Sequence, residues 1–100
     1  MTEKQVLEEI IAGLPEVRVS PMMGEHVLYC REKVVGDICD NKLFVKITPV
    51  SKNYLEGAPE VPPYVGAKPY YLVENTQNKA FISELLLAVA DALPAPKKRK

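Results

Sequence analysis

The chain of 100 residues has no tryptophan, one histidine, two phenylalanines and two cysteines, and its 13 basic side chains are balanced by 13 acidic ones. Each shortage excludes a class of protein. Cys30 and Cys39 are too few for a disulfide scaffold and lack C-x-x-C spacing, which fits a reducing compartment. A zinc site needs more ligands than the two that His26 and Cys39 supply, so no metal is expected. With a single histidine, any acid–base or nucleophilic mechanism of the usual kind must be built on His26, and the expected reading is a half-exposed imidazole beside a small apolar thiol. Neither G-x-G-x-x-G nor G-x-x-x-x-G-K-[ST] occurs, so no phosphate loop and no cofactor are expected. No run approaches about 18 consecutive apolar residues, and the start Met-Thr-Glu-Lys-Gln lacks the basic and apolar regions of a secretory signal. A cytoplasmic protein without membrane contact is the expectation. Zero net charge argues against a strongly basic nucleic-acid binder.

What is present suits one small domain. Apolar residues make up 47% of the chain and charged residues 26%, enough for a packed core at this length. Val6, Leu7, Ile10, Ile11 and Leu14 recur with a helical period; Thr2 and Gln5 have capping-box spacing, and Gly13 supplies a stop. From Val17 the period changes to two, predicting a short strand that Pro21 ends or confines to an edge. Three β-rich runs follow, His26 to Arg31, Val34 to Cys39 and Lys42 to Ile47, separated by Glu32-Lys33 and Asp40-Asn41, which reads as a meander. Two-residue links would set 29 against 36, 27 against 38, 38 against 43 and 36 against 45. That register gathers Val27, Tyr29, Val34, Gly36, Ile38, Leu43, Val45 and Ile47 on a core face. It leaves His26, Leu28, Cys30, Val35, Asp37, Cys39, Phe44 and Lys46 on a mixed face, with His26 opposite Cys39.

Thr48 and Pro49 open a short helix that Gly57 stops. The prolines between Pro59 and Pro69 impose an extended connection, and Pro69 to Val73 forms the last strand. Phe81, Ile82, Leu85, Leu86, Val89 and Leu93 mark a long amphipathic helix that Pro94 terminates. The fold class is therefore α+β: a two-layer sandwich of an antiparallel sheet of about five strands with an N-terminal, a short middle and a long C-terminal helix. Residues 1–93 make the domain, and 94–100 are expected to be a disordered basic tail. That tail holds Lys97, Lys98, Arg99 and Lys100, so the remaining nine basic and 13 acidic groups leave a body near −4.

Four segments carry a resemblance. Met22-Met23-Gly24-Glu25-His26-Val27-Leu28-Tyr29, Lys33-Val34-Val35-Gly36-Asp37-Ile38, Asp40-Asn41-Lys42-Leu43-Phe44-Val45-Lys46 and Tyr64-Val65-Gly66-Ala67-Lys68-Pro69 together resemble the N-terminal domain of the TfoX/Sxy competence regulators, in order and spacing over residues 5–93. The resemblance implies a two-layer α/β domain and a non-enzymatic role in transcriptional control of DNA-uptake genes in bacteria, alongside a cyclic-AMP receptor protein. Relatives often show Met-Phe-Gly-Gly where this chain has Met22-Met23-Gly24-Glu25, and the expectation is a short stand-alone member. The family supplies motif positions and no catalytic or cofactor residues: Met22, Met23, Gly24, Tyr29, Gly36, Gly66, Ala67, Lys68 and Pro69.

The leading expectation is a regulatory module that contacts a protein partner through the mixed sheet face and the Met22-Met23-Gly24 loop. A second is a small-molecule site at Gly66-Ala67-Lys68-Pro69, where Lys68 neighbours Tyr64, Tyr70 and Tyr71. A third is weak nucleic-acid binding through the tail, and the last is a thiol enzyme.

Overall fold

A computed structural model of the chain describes residues 2–14, 16–22, 25–63 and 65–93. The basic tail, and with it Lys97, Lys98, Arg99 and Lys100, lies outside the described residues, as do Met23, Gly24 and Tyr64. In chain order the elements are α1 (Lys4–Ile11), β1 (Val17–Met22), β2 (Glu25–Cys30), β3 (Lys33–Cys39), β4 (Lys42–Val45), α2 (Pro49–Tyr54), β5 (Glu60–Val61), β6 (Tyr70–Val73) and α3 (Lys79–Ala92). The strands form a six-stranded antiparallel sheet in the order β1-β2-β3-β4-β6-β5. The α+β architecture and its three helices follow the sequence periods. The proline-rich connection contributes one more short strand than expected, β5, on the outer edge.

Local chemistry fixes the helix ends. The Thr48 hydroxyl accepts from the Ser51 amide while the Ser51 hydroxyl accepts from the Thr48 amide, a capping box ahead of α2 with Pro49 in its first turn. The Asn78 side chain accepts from the Phe81 amide at the start of α3. The expected Thr2–Gln5 box at α1 is not formed. The cap is Glu3 without a side-chain bond, and the Thr2 hydroxyl instead accepts from the Asn41 amide across the chain. Two lysines satisfy helix carbonyls at C-terminal ends, where the dipole favours a cation. Lys79 donates to Glu9 and Ile10 of α1, and Lys33 donates to Ala90 and Leu93 at the end of α3.

The β3–β4 register is the expected one, with Ile38 opposite Leu43 and Gly36 opposite Val45. The β2–β3 register is not. The turn falls on Arg31-Glu32 rather than Glu32-Lys33, so Cys30 opposes Lys33 and Tyr29 opposes Val34. A bulge then brings Leu28 against Gly36, Val27 against Asp37 and His26 against Ile38. A one-residue slip exchanges the faces of a strand, and β2 is turned over relative to the expectation. Leu28, Cys30 and Val35 join Ile38, Leu43, Val45, Tyr71 and Val73 in the core beneath Ile82, Leu85, Leu86 and Val89 of α3. Val27, Tyr29 and Val34 lie on the opposite face, and Ile47 is exposed rather than buried. His26 shares its face with Ile38, so it does not oppose Cys39 as expected.

Candidate functional site

All three helices contribute to the core on one side of the sheet, through Ile10, Val50 and the buried stripe of α3, with Val17 and Val19 of β1 packed against it. The other side of the sheet carries no helix among the described residues. Two rows of paired residues cross it: Ser20, Val27, Asp37, Phe44 and Leu72, and then Arg18, Tyr29 and Val34. At one end the Arg18 guanidinium lies 4.1 Å from the Tyr29 ring centroid, a cation–π contact. The same guanidinium donates to both carboxylate oxygens of Glu32, with Nη2 2.8 Å from Oε1, and holds that carboxyl below its ordinary range. At the other end, at the β1–β2 hairpin, Met22 is 52% exposed opposite Glu25.

The centre of this face is closed and charged at once. Phe44 is buried, and so are Glu25 and Asp37, each 6% exposed. Asp37 Oδ1 has no hydrogen-bond partner. Its carboxyl is pushed up to about 8, first by burial and then by the adjoining Glu25 carboxyl, while the Ile38 amide opposes the shift. Two ionised carboxylates are acceptors only, so neither can satisfy the other; a proton on Asp37 turns their contact into a hydrogen bond. The protonated Asp37 and the neighbouring Glu25 carboxyl form one hydrogen-bonded unit at the centre of the face, with Val27 and Phe44 paired on either side of Asp37.

The thiols are not activated. Burial raises the Cys30 pKa, and burial followed by the charges of Asp37 and Glu25 raises that of Cys39. His26 has a buried Nδ1 without a partner and lies on the helix side, whereas Cys39 lies on the helix-free side. Among the described residues no group of three or more histidine, cysteine, aspartate or glutamate side chains is arranged to hold a metal. No helix among them is long and apolar enough to cross a membrane.

The motif positions scatter. Met22 and Tyr29 lie on or beside the helix-free face. Gly36 pairs with Leu28 and Val45 and is closely approached by the β4 backbone. Gly66, Ala67, Lys68 and Pro69 lie in the connection from β5 to β6; Lys68 is exposed, and Tyr71 turns into the core. These four do not line the groove of about 440 Å³ found between α2, β6 and α3. The pair Glu25–Asp37, together with Arg18 and Phe44, is the part of the site that motif spacing missed. Its only signal was one acidic residue just ahead of the first β-rich run and another inside the second, and a correct register was needed to bring the two together.

A family model for the TfoX N-terminal domain matches residues 9–83. A curated protein of Spirochaeta aurantia, described as an uncharacterized 12.7 kDa protein in the trpE 5′ region, is 44% identical over 85 residues, covering 84% of this chain and 74% of that protein. No solved structure matches significantly.

Proposed function

The chain belongs to the TfoX N-terminal domain family, and from that premise we propose that it is a non-enzymatic regulatory module that works by holding a protein partner on the helix-free face of its sheet. The observation that carries this reading is the distribution of its side chains: every helix among the described residues is spent on one side, while the other presents Arg18 over Tyr29, partly buried Val27 and exposed Met22 around the Glu25–Asp37 carboxyl pair. An aromatic and an arginine beside exposed apolar groups is the composition of interface centres. The raised thiol pKa values and the separation of His26 from Cys39 support a role without nucleophilic chemistry. Regulation of DNA-uptake genes, with transcription machinery as the partner, is the finer form of the proposal.

Affinity capture from the native cell with three baits tests it. The wild-type chain should retain a specific protein, and Arg18→Ala/Tyr29→Ala should lose it while melting within a few degrees of wild type; Lys52→Ala, at an exposed position on α2, should keep it. A partner indifferent to the double variant would refute the assignment of this face.

A further inference from the structure

We propose that the groove between the end of α2, the C-terminal end of β6 and the first turn of α3 is a binding site for a small protonated arylalkylamine. The site lies apart from the sheet face proposed above and stands independently of it. Its volume of about 440 Å³ falls in the range of small-molecule sites.

The groove is open because its walls are already satisfied elsewhere. The Tyr54 and Phe81 rings are tilted at 57° with centroids 6.1 Å apart, an aromatic pair in contact. The Tyr54 hydroxyl is tied at 3.1 Å to Glu84 Oε2 and is thereby held in its neutral form, its pKa raised. The turn that forms the opposite wall is closed by its own backbone, with the Ala58 amide on the Leu55 carbonyl and the Leu72 amide on the Pro59 carbonyl, each at 2.9 Å. The walls therefore need no rearrangement before a ligand enters, which lowers the entropic cost of binding.

The chemistry of the lining selects the ligand. Glu56 and Glu74 are exposed in it, and among the described residues the lining includes no lysine, arginine or histidine. An anion would meet two uncompensated carboxylates, and a cation would be matched by them. Asn75 and Asn78 direct their side-chain oxygens to the amides of Gln77 and Phe81, so that each leaves its NH₂ group to donate to a ligand acceptor. The Asn78 bond also occupies one amide of the helix end, where an unsatisfied donor would otherwise favour an anion. The rings of Tyr54 and Phe81 offer apolar faces on which a flat body can lie and a quadrupole for a nearby ammonium. A flat body, an ammonium group and a polar acceptor together describe a hydroxylated arylalkylamine.

Amide chemical-shift titration of the full chain with tyramine, 4-ethylphenol and 3-(4-hydroxyphenyl)propionate tests the assignment, since the three share a body and differ in charge. Tyramine should give saturable shifts confined to the Tyr54–Pro59, Leu72–Asn75 and Asn78–Phe81 segments, with a dissociation constant of about 1 mM or tighter. The neutral phenol should bind at least about five-fold more weakly and the carboxylate not at all. Glu56→Gln/Glu74→Gln, both at exposed positions, should keep the wild-type melting temperature and lower tyramine affinity by about three-fold or more. Absence of saturation up to about 10 mM, equal binding of the carboxylate, shifts centred elsewhere, or an unchanged affinity in the double variant would each overturn the proposal.

Discussion

A methyl group at Gly36 has nowhere to go: a Cβ there would stand 2.1 Å from the Phe44 carbonyl oxygen. The contact is to backbone and not to a flexible side-chain end, so relief requires β3 and β4 to separate at Gly36–Val45, beside the bulge. Gly36→Ala should therefore cost about 3 kcal/mol, read as a shift of the urea midpoint, although its polarity hardly changes. Asp37 offers the complementary test. Its folded pKa of about 8 lies above the unfolded value, so the folded state binds the extra proton. The stability associated with it is fully present below about pH 4 and is lost as the pH rises towards 8, amounting to a few kcal/mol. Asp37→Asn keeps a donor for Glu25 and cannot ionise. Its urea midpoint should match the wild type near pH 4 and exceed it clearly near pH 8.5, and a wild-type midpoint that rises over that interval would contradict the buried-proton assignment.

At the scale of elements, one hairpin decides which side chains meet. Arg31 and Glu32 both take positive φ, 53° and 64°, the left-handed pair of a two-residue type I′ turn. Asp40 and Asn41 do the same, and there the sequence advertises it, because both residue types tolerate that region. The β3–β4 register was legible for this reason. Arg-Glu carries no such signal. What holds it are contacts invisible along the chain: Arg18 with Glu32, and Arg31 with Glu16 and Asp91. The bulge in β3 hides equally well, its only trace being a glycine inside a β-rich run. The helices and strands were readable from their periods and caps, whereas the pairing of Glu25 with Asp37 depended on that one hairpin and so was not. Paired deletions check the observed register. Leu28→Ala, fully buried under the helices, should cost about 2–5 kcal/mol, and Val27→Ala about 1 kcal/mol. The reverse ranking would restore the register with Val27 in the core.

Taken whole, the molecule is one sheet with its helices on a single side, and its charge is divided as unevenly as its hydrophobicity. Lys97, Lys98, Arg99 and Lys100 offset an excess of acidic groups elsewhere, since the other residues carry nine basic and 13 acidic side chains. On the helix-free face the arginine that could meet a phosphate, Arg18, is already engaged by Glu32, and the centre holds two carboxyl groups. That pairing leaves the Arg18 guanidinium engaged, and the prediction is that any DNA contact comes from the last four residues. Four cations release at most about four counterions, giving a log–log salt slope no steeper than about −3.6 and binding that fades at physiological salt. Binding to a random-sequence duplex across a salt series, with and without residues 97–100, measures this directly. The full chain should bind weakly with that shallow slope, and the truncated chain should not bind detectably. Tight binding by the truncated chain at physiological salt would make the folded body the DNA contact and would turn the helix-free face from a protein-docking surface into one whose carboxyl pair has to be reconciled with phosphate.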